Sequence, residues 1–160
     1  MQTWPAAELN ERARYMDELI RRYFDACSAA DVETIVSCFI DDAVHYFPPG
    51  MYEGPFRGAR TIAERWRQMV ETIGSWWTVD TLLIEPVGWQ AVMEWTHFKT
   101  KQGTILRGIE VYEFDQPSGR ISEIRAYYAS PQTQTLSRQE LGGFDYGGRR
   151  YPLAPPPGVR

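Results

Sequence analysis

The chain carries only two histidines, His45 and His97, in 160 residues. His97 lies in WTHFK and Glu110 in RGIEVY, two segments rich in aromatic and β-branched residues on either side of Lys101-Gln102-Gly103. That pattern predicts a β-hairpin. Side chains alternate along a strand, so if Glu110 faces inward, Gly108 and Tyr112 face inward with it. A turn at 101–103 sets Trp95 opposite Glu110 and His97 opposite Gly108. His97 and Glu110 then become diagonal neighbours on one face, within reach of each other. A second hairpin around Pro117–Gly119 brings Ala126 beside Glu110 and Tyr128 beside Gly108. His45 alternates with Phe47, so the two share a face of an earlier strand.

Such a group can do acid–base chemistry. A carboxyl among Trp and Tyr rings loses hydration, which favours its protonated form. A neighbouring histidine is held in one tautomer and serves as a base near neutral pH. A Tyr hydroxyl or neutral carboxylic acid donates to a developing oxyanion. Together these predict proton abstraction followed by elimination, isomerisation or bond cleavage. Each residue also has a plain structural reading. Glu110 could be a buried acid bonded to a Tyr or a Trp N–H, and either histidine a satisfied core residue. Cys27 sits on an apolar helical stripe and needs only its apolar character. Arg107 and Arg125 alternate away from the inward face. Two isolated histidines without a close-spaced partner predict no metal site.

The elements that must position these residues are legible. Met16, Leu19, Ile20, Tyr23, Phe24 and Cys27 recur at helical spacing within 8–29. Asp31 is a candidate N-cap for a short helix over 32–38, ended by Asp41-Asp42. AVHYF (43–47) reads as a short strand, stopped by Pro48-Pro49-Gly50 and followed by a loop to Gly58. A third helix is predicted over 59–73, with Ile62, Trp66, Met69, Val70 and Ile73 inward and Gly74 closing it. Residues 76–85, 89–100, 104–115 and 120–129 then read as a four-stranded meander. Helices first and an antiparallel meander after predict an α+β domain. The tail differs: residues 142–160 hold five Gly and four Pro, yet also Phe144, Tyr146, Tyr151 and Leu153. So many large apolar groups predict a segment that packs over its own pocket or a neighbouring subunit. The expected organisation is therefore a domain over 1–131 and an extension over 132–160.

Three segments, LIRRYFDACSAADVETIVSCFIDDAVHYFPPG (19–50), EGPFRGARTIAERWRQM (53–69) and RGIEVYEFDQPSGRISEIRAYYASP (107–131), resemble the nuclear transport factor 2-like superfamily, in its SnoaL-like branch. The resemblance implies a cone, in which three N-terminal helices pack on a curved, mostly antiparallel sheet around an apolar pocket. It also implies roles. In ketosteroid isomerase-like members a Tyr late in the first helix and an acid in the third strand of the meander point into the pocket, and here these are Tyr23 and Glu110. The carboxylate base of those enzymes falls on Phe47, which argues against that activity. An Asp–His dyad used by dehydratase-type members falls on Ser28 and Trp76-Trp77. The Arg and two Asp of limonene epoxide hydrolase fall on Gly108, Glu110 and Ala126, so one of three survives, as Glu. Members range from isomerases and dehydratases to binding proteins, so the fold does not name the reaction.

The expectation is an enzyme of the lyase or isomerase kind, working without a cofactor on a hydrophobic, aromatic or polycyclic molecule. His97 would be the base, Glu110 its partner or proton donor, and Tyr23 the oxyanion donor. His45, Phe47, Trp66, Trp95, Tyr112 and Tyr128 would line the substrate site. The alternatives are a small-molecule binder without turnover and an oligomerisation module of the same fold. A face carrying Glu94, Thr96, Phe98, Ile109 and Val111 predicts a homodimer, or a trimer, through the sheet and the C-terminal extension. With 17 Lys+Arg against 21 Asp+Glu, no basic face for nucleic acid is expected. No apolar run is long enough to span a membrane, and the first fifteen residues lack the pattern of a signal peptide. Two cysteines make no disulfide framework, and the chain reads as cytoplasmic.

Overall fold

A computed structural model describes residues 5–128, 142–145 and 147–149. The expected domain boundary at 131/132 and the tail residues Tyr146, Tyr151 and Leu153 lie outside these described residues. The chain runs α1 (Ala6–Ala29), α2 (Val32–Ser37), β1 (Phe39–Tyr46), β2 (Phe56–Arg57), α3 (Ala59–Ile73), β3 (Ser75–Glu85), β4 (Gln90–Lys99), β5 (Thr104–Phe114) and β6 (Ile121–Tyr127).

α1 buries the stripe expected of it, Met16, Leu19, Ile20, Tyr23, Phe24 and Cys27. Spacings of three and four put these on one side of the helix, which turns them to the sheet. The helix stops at Ala30, in the left-handed region at φ 56°. Asp31 caps α2, its Oδ1 accepting from the Thr34 N–H at 3.1 Å and its Oδ2 from the Thr34 hydroxyl at 2.6 Å. The same bonds hold the Asp31 carboxyl below its ordinary pKa. Asp41 and Asp42 do not end a helix: they are exposed residues within β1, where the pairing with β6 shifts register between Phe39 and Val44. α3 ends at Gly74, φ 67°.

Six strands form one sheet in the order β2-β1-β6-β5-β4-β3. β1 and β6 pair in parallel, and the other neighbours are antiparallel. The short β2, which pairs through Val44–Arg57 and His45–Phe56, falls in what reads as loop in the sequence. Two paired residues carry too little pattern to be seen. The helices cover one face of this curved sheet, and the core between the layers includes Ile20, Tyr23, Phe39, Ile62, Met93, Tyr112 and Ile124.

The described part of the tail packs against the other face. Gly142 N–H donates to the Phe47 carbonyl at 2.9 Å. The Phe144 ring meets Tyr46 edge-on at 5.2 Å, and Arg149 donates to Glu123 at 2.7 Å. Buried Arg125 donates to Glu113 at 3.0 Å and to Glu123 at 2.5 Å, beneath the Phe144 ring. A cation taken out of water is tolerable here because two carboxylates meet it.

Candidate functional site

Between α1, α3 and the inner face of the sheet lies a cavity of about 60 Å³, within about 560 Å³ of atom-free space reaching out through its mouth. Strand alternation sets its wall. On β4 the inward side chains run Ala91, Met93, Trp95, His97 and Lys99, and on β5 they run Leu106, Gly108, Glu110 and Tyr112. Gly108 has no substitute in this register. A Cβ there would lie 2.5 Å from Trp95 Cζ2, because the indole of Trp95 folds across the strand at that point. Tyr23, Phe24, Cys27, Trp66 and Met69 close the helical side, and Met51 and Tyr52 come from the loop after β1.

The hairpin register differs from the sequence-based expectation by two residues. Met93, not Trp95, pairs with Glu110; Trp95 pairs with Gly108; and His97 pairs with Leu106. The junction of α3 with β3 fits this register. Gly74's carbonyl accepts the Thr100 N–H at 3.1 Å and the Thr100 hydroxyl at 2.7 Å, and Lys101 N–H donates to Ile73's carbonyl at 3.1 Å. These bonds pull Thr100 and Lys101 out of the hairpin, so the ladder closes at Lys99–Thr104. His97 is therefore not a diagonal neighbour of Glu110: the Trp95–Gly108 row lies between them. Within the turn, Gln102 N–H donates to the Lys99 carbonyl at 2.9 Å and Gly103 takes φ 65°, so local and tertiary bonds fit the same register.

Two polar centres result. At the floor Glu110 lines the cavity, and Tyr112 donates its hydroxyl to Glu110 Oε2. His45, wholly buried, brings Nε2 to 3.4 Å from Glu110 Oε1, an electrostatic contact rather than a good hydrogen bond. The imidazole is fixed by stacking on Phe47 at 4.2 Å and by the edge of Trp66. Among the described residues neither ring nitrogen of His45, nor the buried Trp95 Nε1, has a hydrogen-bond partner. Burial, with the Glu110 charge adding to it, pushes the Tyr112 phenol well above its ordinary pKa, so it holds its proton. His45 and Tyr112 sit behind the wall rather than on it.

Nearer the mouth, His97 Nε2 lies 2.8 Å from Ser75 Oγ, and the ring stacks on Trp77 at 4.5 Å and 17°. Burial, and then the charge of Lys99, lower the His97 pKa to about 4, so the ring is neutral at pH 7. On the helical wall Trp66 Nε1 donates to the Tyr23 hydroxyl at 2.8 Å. Burial pushes Tyr23 well above its ordinary pKa, with Cys27 and Glu110 acting in the same direction. The Tyr128 hydroxyl is raised mainly by burial, and its ring meets Trp95 edge-on at 5.6 Å.

Of the sequence-based candidates, Tyr23, Phe47, Trp66, Trp95, His97, Glu110 and Tyr128 all line this one cavity. The partner of Glu110 is His45, not His97. Ser28 and Trp77 do meet in space, Trp77 N–H donating to Ser28 Oγ at 3.0 Å, but they supply neither acid nor imidazole. Sequence reasoning missed Lys99, although alternation from His97 would have found it. Tyr52 and Met51 carry no local signal, being placed by a loop.

A SnoaL-like domain model matches residues 20–124. A crystal structure from Methylobium petroleophilum PM1, a protein of unknown function with a cystatin-like fold, is similar at 53% identity. It covers 92% of this chain and 97% of its own, with a TM-score of 0.87. A nuclear transport factor 2-like protein of unknown function from Mesorhizobium loti shares the fold at 18% identity and TM-score 0.61, over 74% of this chain and 94% of its own. Comparison with curated proteins finds no match. The chain belongs to the SnoaL-like family.

Proposed function

We propose that this SnoaL-like protein is an acid–base enzyme of the lyase or isomerase kind, acting on a small aromatic molecule, with Glu110 as the group that takes and returns a proton. The observation that carries this reading is that, among the described residues, Glu110 is the one acid lining a cavity otherwise walled largely by aromatic rings. Behind the wall Tyr112 holds one of its oxygens by a hydrogen bond, and the His45 ring lies 3.4 Å from the other. A carboxylate there can remove a proton from carbon next to a carbonyl. The Tyr23 hydroxyl accepts from Trp66, and its proton, now shared with the weak acceptor Cys27, would turn to the oxygen on which charge develops. Polarisation by the Trp66 N–H strengthens that donor. His97 is neutral, with its Nε2 engaged by Ser75, and suits orientation of the ligand better than transfer of a proton at pH 7. The size of the cavity favours a single ring over a polycyclic frame.

Proton abstraction can be read without knowing the product. Aryl ketones and aryl-substituted hydroxy acids incubated in D₂O with the protein would lose their α-proton signal in ¹H NMR. Glu110→Gln should slow that exchange by about 10²- to 10⁴-fold. Exchange at the wild-type rate in Glu110→Gln would remove Glu110 from the role, and a ligand that binds without ever exchanging would make the protein a binder.

We also propose that two copies pair through the outer face of the sheet, where Leu83, Val92, Ile109, Trp76 and Ile105 are exposed. A cytoplasmic location fits two buried, unbonded cysteines, Cys27 and Cys38. No helix among the described residues is long and apolar enough to cross a membrane.

A further inference from the structure

We infer that the ligand of this cavity is an anion, an aromatic carboxylate whose charge is read by Lys99 at the mouth while its ring lies deeper, towards Glu110. The inference rests on the cavity reading above and adds a substrate class to it.

Lys99 lines the cavity and is half-buried. It has no hydrogen bond or ion pair among the described residues. That sets it apart from most cations of this chain. Arg60 is held by Glu33, Arg67 by Glu64 and Glu71, Arg125 by Glu113 and Glu123, and Lys101 by the Glu71 carbonyl. A half-buried ammonium gives up part of its hydration, and an acceptor that restores the loss is favoured. Its charge is felt inside the cavity, since it helps to keep neighbouring His97 neutral.

The arrangement also fixes an orientation. Glu110 pairs with Met93, six residues along β4 from Lys99, a separation of about 20 Å between backbones at 3.3 Å per residue. The Lys99 stem, the Glu110 side chain and the Trp95 indole occupy part of that span, and the rest is open to a ligand. An anion is repelled from the Glu110 end and drawn to the Lys99 end, so a ligand with a ring and a carboxylate a few bonds apart enters ring first. Trp77, already stacked on His97, presents a flat surface on the way. The ring would then lie nearest Glu110, with the charge left at the mouth.

Isothermal titration with 3-phenylpropanoate and with 3-phenylpropanamide tests this, in wild type, Lys99→Met and Lys99→Arg. Lys99→Met keeps the apolar stem, and thermal melts of all three variants check the fold. The inference expects the carboxylate to bind at least about 10-fold tighter than the amide in wild type, within the range of a charged hydrogen bond. Lys99→Met should erase that preference without weakening the amide, and Lys99→Arg should keep it. Equal binding of acid and amide, unchanged in Lys99→Met, overturns the inference and leaves the aromatic cavity standing. Failure of both probes to bind overturns the cavity reading as well.

Discussion

Lowering the pH should unfold this protein partly through one ring, His97. In the folded state its pKa is about 4, held down by burial and then by Lys99, against an ordinary 6.5. Between those values the unfolded chain binds a proton that the folded chain refuses, so stability falls as pH drops from about 6.5 towards 4 and is fully present above 6.5. At roughly 1.4 kcal/mol per pH unit the gap sets a ceiling of about 3 kcal/mol. Part of the ring's surroundings lies towards the cavity mouth, where solvent screens it, so a loss of about 2 kcal/mol is the working expectation. The measurement is urea unfolding at pH 7.5, 6.0, 5.0 and 4.5 for wild type and for His97→Gln, whose amide can still reach Ser75. Every other ionisable group is common to the two proteins and cancels in the difference. The gap between the two curves should change by about 2 kcal/mol across this range, wild type losing more. Parallel curves would show that His97 is protonated as easily folded as unfolded, and the desolvation argument would fail.

Gly108→Ala should cost about 1–3 kcal/mol, because the new Cβ would lie 2.5 Å from Trp95 Cζ2 and the indole must move. Thermal melting reads the cost, and near-UV circular dichroism reads the displaced Trp95. If the outer sheet face pairs two copies, Ile109→Lys, at a residue 46% exposed, should turn a dimer into a folded monomer in size-exclusion chromatography with light scattering. A wild type that is monomeric to begin with ends that proposal.

The C-terminal segment touches the site indirectly. Gly142 bonds the Phe47 carbonyl, and Phe47 stacks on the histidine that faces Glu110. The buried Arg125 keeps two acids from facing each other uncompensated, and it orders the surface on which Phe144 lies.

Much of the frame was legible in the residues alone. The stripe of α1, the span of α3 with Gly74 at its end and the four long strands of the meander follow from periodicity and turn chemistry, which act over a few residues. The membership of Tyr23, Trp66, Trp95, His97, Glu110 and Tyr128 in one cavity was open to the same reasoning, because alternation and the resemblance together assign each a face. Which of them touch was not. A two-residue difference in register preserves every inward side chain while changing every neighbour, so the hydrophobic pattern cannot detect it. Here the observed register goes with a local turn bond from Gln102 to Lys99 and with the carbonyls of Gly74 and Ile73, which bind Thr100 and Lys101 across the fold. The parallel pairing of β1 with β6 was hidden for the same reason. It joins segments some eighty residues apart and places His45 near Glu110. Local sequence determines which way a side chain points; the partner it meets depends on long-range closure, which only the assembled sheet contains.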